Sequence, residues 1–124
     1  MEKIKKYEDP LFIVGVPRSG TTWIWGLLTS HTDVRSLERH DFDPSKPSVI
    51  NNKRQTSETG AFINFSDDFI KQTIRQKQLF FHNDKLIIEK TPTHIQKIER
   101  ILKCFPNCKI IHIYRNPKAV ISSM

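Results

Sequence analysis

The chain has 124 residues, enough for one domain, with 37% hydrophobic and 27% charged residues, the make-up of a folded globular protein. No apolar run approaches the roughly 20 residues of a membrane-spanning helix. Twenty Lys and Arg against 13 Asp and Glu leave a net charge of +7. That balance favours anionic partners, but the basic residues are scattered and form no nucleic-acid-binding arm.

The N-terminus, MEKIKKYEDP, lacks the long apolar stretch and cleavage site of a signal peptide, so the expected location is cytoplasmic. LFIVGV (11–16) is short, β-branched and bounded by Pro10 and Pro17, and predicts a buried strand. A loop with Gly15, Gly20, Ser19, Thr21, Thr22 and Arg18 follows. Residues 22–31 predict a helix, with Trp23, Leu27 and Leu28 available to one face and both Trp23 and Trp25 packing it. From about residue 35 to 65 the chain is polar with little periodicity, and predicts a long, partly irregular excursion of the kind that is often functional or disordered.

Ser66 is placed to cap a helix running to Leu79, with Asp67 and Asp68 in its first turn and Phe69, Ile70, Ile74 and Leu79 as its apolar side. LIIE (86–89) and IIHIY (110–114) predict two more buried strands. Between them, Ile95, Ile98, Ile101, Leu102 and Phe105 recur at helical spacing over 93–105, stopped by Pro106. Asn116 and Pro117 open a final helix. Short buried strands alternating with helices predict an α/β fold with a parallel sheet between helical layers. The sheet looks unfinished at Met124, so the expectation is a single domain, 1–124, incomplete at its C-terminus. Cys104 and Cys108 are too few for a disulfide framework and are expected to be reduced and structural.

The loop after the first strand carries the chemistry. A strand-to-helix turn offers unpaired N–H groups and the positive end of a helix dipole to an anion. Gly15 and Gly20 have the spacing of the ATP and GTP loop G-x-x-x-x-G-K-[ST], but Thr21 stands where its lysine belongs. The cation is instead Arg18, inside the loop. That suits a ligand with a charged group beyond its 5′ phosphate and no need of a metal. A second element, YRNPKAVISS, has Arg115 and Ser123 eight residues apart, about two helical turns.

Together PRSGTTW and YRNPKAVISS resemble the two donor-binding segments of sulfotransferases that use 3′-phosphoadenosine 5′-phosphosulfate (PAPS). The arginine of PRSGTT is similar to the tyrosylprotein and bacterial branch, and IIEKTP (87–92) resembles a segment of the carbohydrate enzymes. The resemblance implies a three-layer fold of the phosphate-loop type, metal-free sulfuryl transfer, and PAPS as co-substrate. It implies a donor site made by Pro17, Arg18, Ser19, Gly20, Thr21, Thr22, Trp23, Arg115 and Ser123. Arg18 would face the leaving phosphate, and Lys90 would steady the sulfuryl group. Cytosolic enzymes of the superfamily have a histidine base where Pro92 stands here. DVRSLERH resembles the segment that carries the catalytic glutamate of the tyrosylprotein enzymes, with Arg39 where the second, catalytic glutamate belongs. Glu38 is the expected base for the acceptor, with its neighbour His40 and Glu89 as rivals, although Glu89 could instead pair with Lys90 or Arg18. His31, His82, His94 and His112 are expected to be structural or exposed.

The acceptor is a sugar hydroxyl, a tyrosine, a lipid or a small alcohol (or an amine), and the 35–65 excursion is expected to help choose it. A degenerate kinase or NTPase would instead need magnesium and the missing lysine. A polyanion-binding module would need a denser basic face.

Overall fold

The computed structural model describes residues 9–15, 20–45 and 58–114, without the side chain of Thr21. In chain order the elements are β1 (Leu11–Gly15), α1 (Thr21–Thr29), β2 (Val34–Ser36), α2 (Arg39–Phe42), α3 (Ala61–Asn64), α4 (Asp67–Phe80), β3 (Leu86–Lys90), a 3-10 helix (Pro92–Lys97), α5 (Ile98–Cys104) and β4 (Lys109–Ile113). The four strands form one sheet in the order β2-β3-β1-β4, and every pairing is parallel. The expected α/β architecture is present. The final helix expected from Pro117 lies outside the described residues.

Alternation along the strands sorts the core into two layers. Phe12 and Ile87 point to one face, where they pack with Leu37, Ile70, Ile74, Ile101 and Phe105. Ile13 and Ile88 point to the other, packed with Val34 and covered by Ile24, Trp25 and Leu28 of α1. A sheet with helices on both faces must be apolar on both, which is why β1 and β3 read as near-continuous apolar runs rather than alternating ones. On the first face, the Phe12 ring lies between Phe62 and Phe105, with centroids 5.9 and 5.8 Å away.

Several local features differ from expectation. β2 falls in the stretch predicted to be irregular. Three residues are too few to display a period, and the strand forms because β3 supplies its partner, with Leu37 N–H extending the pairing to Ile88 C=O at 2.8 Å. Two short helices, α2 and α3, also lie in that stretch. In α1 the packing face is Ile24, Trp25 and Leu28, whereas Trp23 and Leu27 are 70% and 55% exposed. Trp23 and Leu27 are four apart and so share the outward face.

α4 is capped as expected, Ser66 Oγ accepting from Phe69 N–H at 3.3 Å. It buries Ile70, Thr73, Ile74 and Gln78, while Phe69 and Leu79 are exposed. The helix predicted over 93–105 begins as the 3-10 helix, opened by Pro92, before α5 takes over. Cys104 and Cys108 are unpaired. Burial, then the carboxylates of Asp67 and Asp9 respectively, push the two thiols up, which suits inert structural cysteines. No helix among the described residues is long and apolar enough to cross a membrane.

Candidate functional site

The strand order places a crevice at the carboxyl ends of β1 and β3. From these neighbouring strands the chain leaves in opposite directions, β1 toward β2 and β3 toward β4. Ligands of open α/β sheets bind at such a switch point. The register brings Ile13 beside Lys90 and Gly15 beside Ile113, so three strand ends meet there. Gly20 precedes α1 with φ at 101°, a left-handed conformation that a residue with a Cβ would adopt only under strain. Its carbonyl accepts from Ile24 N–H at 3.2 Å and starts the helix. Pro17, Arg18, Ser19, Arg115 and Ser123 lie outside the described residues, as does the Thr21 side chain. Of the expected donor site, Gly20, Thr22 and Trp23 are described.

Lys90 is the centre of the described site. It is fully buried, yet it ends a strand at the crevice. Its Nζ donates to Thr22 Oγ1 at 3.2 Å, in the first turn of α1. It lies 3.4 Å from Glu58 Oε1 and 5.5 Å from the centre of the Trp25 ring. Trp25 is itself pinned by donating from Nε1 to Ser36 Oγ at 2.7 Å. A buried ammonium is costly unless partnered. A hydroxyl, a carboxylate and an aromatic face hold this one where the loop and β3 converge.

Glu89 points to the opposite face and is also fully buried. Its Oε2 accepts from Thr59 Oγ1 at 2.7 Å and Thr91 Oγ1 at 2.6 Å, and its Oε1 lies 3.0 Å from His94 Nδ1. Phe62 N–H donates to His94 Nε2 at 3.2 Å, so Nε2 is the acceptor and Nδ1 carries the hydrogen toward Glu89. The two hydroxyls also accept, Thr59 from Ala61 N–H and Thr91 from Gly60 N–H, both at 3.1 Å. Three consecutive N–H groups that open α3 are thereby tied to one carboxylate through side chains. Burial works to raise the Glu89 carboxyl. The adjacent His94, with the hydrogen bonds from His94, Thr91 and Thr59, outweighs it and holds the group below the ordinary glutamate range. His94 is thus structural, and His31, His82 and His112 are exposed.

Glu38 begins α2 beyond the end of β2. Its N–H donates to Asp41 Oδ2 at 2.8 Å, and its Oε2 lies 3.2 Å from His40 Nδ1. Asp41 is in turn held by Lys77 Nζ at 2.7 Å, which also reaches Ser36 C=O at 2.9 Å. Nearby, Arg39 Nε donates to the Glu58 carbonyl at 3.0 Å. Beside that contact opens a cavity of ≈ 420 Å³ lined by Arg39, Asp43, Thr59, Gly60, Asn64 and Phe65.

Sequence reasoning missed Glu58, Thr59 and Thr91. Thr59 meets Glu89 from 30 residues away, and no local pattern signals a pairing at that distance. The one available hint was the polar SETG immediately before the apolar AFINF, since such a boundary marks a chain turning into the core.

The sequence model of the sulfotransferase family matches residues 10–124. A Caenorhabditis briggsae protein named as a candidate protein-tyrosine sulfotransferase is 30% identical over 131 residues, covering 98% of this chain and 44% of its own. Protein-tyrosine sulfotransferase 1 of Danio rerio is 28% identical over 125 residues, covering 92% of this chain and 34% of its own. The omega-hydroxy-beta-dihydromenaquinone-9 sulfotransferase of Mycobacterium bovis is 43% identical over 47 residues, 38% of this chain and 12% of its own. The chain spans less than half the length of each of these relatives.

Proposed function

The chain belongs to the sulfotransferase family, and from that premise we propose that it transfers a sulfuryl group from PAPS to an acceptor hydroxyl. One observation supports this above the others. A fully buried lysine, Lys90, ends β3 against Thr22, the last residue of the PRSGTT segment. Sulfuryl transfer, like phosphoryl transfer, relies on placing the attacking and leaving oxygens in line and stabilising the charge that develops. A cation fixed in a dry, low-dielectric place before substrate arrives does this without reorganising.

In this reading the loop from Pro17 to Thr22, with its backbone amides and Arg18, receives the 5′ phosphosulfate. Lys90 steadies the sulfuryl group and the bridging oxygen. Arg115 and Ser123 grip the 3′ phosphate, and the exposed Trp23 ring is available to the adenine. The charge that a kinase would leave to a metal is carried here by Arg18 and Lys90. The reaction also needs a group to take the acceptor's proton, for which the sequence offered Glu38, His40 and Glu89, the last of them buried with both oxygens engaged. The acceptor side is the cavity between Arg39 and Phe65, within the excursion expected to choose it. Relatives are named for protein tyrosine and for a hydroxylated menaquinone, so phenolic and lipid hydroxyls are the first acceptors to try.

Sulfur-35 PAPS incubated with the intact protein and a panel of a tyrosine peptide, a long-chain alcohol and a monosaccharide tests the proposal. The expected result is a labelled ester with release of 3′-phosphoadenosine 5′-phosphate, unchanged by a metal chelator. Label retained on the donor with every acceptor, together with magnesium-dependent phosphoryl transfer from ATP, would contradict it.

A further inference from the structure

We propose that Glu58 is the residue that takes the acceptor's proton, an inference that rests on the sulfuryl-transfer reading above. Glu58 is the carboxylate at the buried lysine. Its Oε1 lies 3.4 Å from Lys90 Nζ, and its side chain is 37% exposed while that of Lys90 is 0% exposed. One side of this pair thus meets the buried sulfuryl-steadying cation, and the other meets solvent, from which an acceptor arrives. A general base must lie within hydrogen-bond reach of the proton it removes, and geometry ranks before pKa in choosing it.

The other carboxylates are differently engaged. Both oxygens of Glu89 are occupied and no part of it is exposed. Glu38 is turned toward His40 at the start of α2. Glu58, in contrast, is aimed by its backbone. Its carbonyl is held by Arg39 Nε at 3.0 Å. In the next four residues, Thr59 Oγ1 donates to Glu89 and accepts from Ala61 N–H, while the N–H groups of Gly60 and Phe62 donate to Thr91 and His94. The ≈ 420 Å³ cavity lined by Arg39 and Thr59 opens on the same segment. Among the described residues, the charged groups against Glu58 are Lys90 from β3, at its carboxylate, and Arg39 from α2, at its backbone carbonyl.

The acceptor O–H gives its proton to the Glu58 carboxylate as the acceptor oxygen bonds to sulfur. The bond between sulfur and the bridging oxygen breaks, and its electron pair leaves on 3′-phosphoadenosine 5′-phosphate. Protonated Glu58 then returns its proton to water.

Glu58→Gln, Glu58→Asp and Glu38→Gln in the intact protein, assayed for sulfur-35 transfer across pH and for binding of 3′-phosphoadenosine 5′-phosphate, test the assignment. Glu58→Gln is expected to lower kcat by at least about 100-fold and to remove the acid limb of the kcat profile. Its affinity for 3′-phosphoadenosine 5′-phosphate should stay within about threefold of wild type, as for a group on the acceptor side. Glu58→Asp should recover part of the rate, and Glu38→Gln should keep the acid limb. A Glu58→Gln protein with an unchanged acid limb, or one that loses donor-product binding along with activity, overturns the assignment. So does loss of the acid limb in Glu38→Gln. Wild-type protein that transfers no sulfuryl group removes the underlying reading as well, whereas active wild type with active Glu58→Gln removes this inference alone.

Discussion

Replacement of Lys90 by methionine is expected to lower kcat about 1,000-fold, a loss of about 4 kcal/mol of transition-state stabilisation. The fold should survive. Removing one member of an ion pair is costly when the other stays buried and unpaired, but here a methionine stem fills the space and keeps the contact with Trp25. The partner left behind, Glu58, is 37% exposed and can be solvated. Thr22 loses a donor but sits in a half-buried first turn with water within reach. The variant should therefore keep its melting temperature and its affinity for 3′-phosphoadenosine 5′-phosphate while losing turnover. Lys90→Arg should not rescue it, since a planar fork does not fit between a hydroxyl, a carboxylate and an indole placed around a point charge. Kinetics, calorimetry and thermal unfolding of the two variants check this. Near-normal kcat in Lys90→Met would show that the buried cation serves packing alone.

The second large effect concerns stability. Glu89→Ala leaves two hydroxyls and one imidazole N–H without their acceptor, and removal of one member of a buried charged network costs roughly 3–5 kcal/mol. For a domain of this size that lowers the melting temperature by more than about 10 °C. Glu89→Gln keeps the shape and loses the charge, so it should fall between the two. The folded-state carboxyl is held below its ordinary value, so the unfolded chain binds the proton more tightly. Its contribution is fully present above the unfolded value of roughly 4.3 and is lost as pH falls through the lower folded value. The stability gap between wild type and Glu89→Gln should thus be constant at neutral pH and shrink below about pH 4. A gap that persists unchanged to pH 3 in urea unfolding would contradict an ionised Glu89.

What was legible in the sequence follows from how local each cause is. β1 and β3 are marked by short β-branched and apolar runs, because both faces of a central parallel strand are buried, whereas β4, at the end of the described sheet, is marked by Ile110, Ile111 and Ile113 with Lys109 and His112 exposed beside them. Lys90 was found because it closes such a run within IIEKTP. β2 was not found, because its three residues take their conformation from β3 rather than from themselves. Of the residues expected to pack α1, Trp25 and Leu28 do so together with Ile24, whereas Trp23 and Leu27 fall on the outward face. Glu58 and Thr59 were invisible for the same reason as β2. Their partners, Lys90 and Glu89, are adjacent in sequence but point to opposite faces of the sheet, and only the folded chain brings residues 58 and 59 to both.

The central claim is that a PAPS-type donor binds at the carboxyl ends of β1, β3 and β4. Calorimetric titration of the intact protein with 3′-phosphoadenosine 5′-phosphate and with AMP, both without magnesium, tests it most directly. Clear binding of the bisphosphate, weaker binding of AMP, and loss of that preference in Arg115→Ala are expected. Equal affinity for the two nucleotides, or binding that requires magnesium, would contradict it.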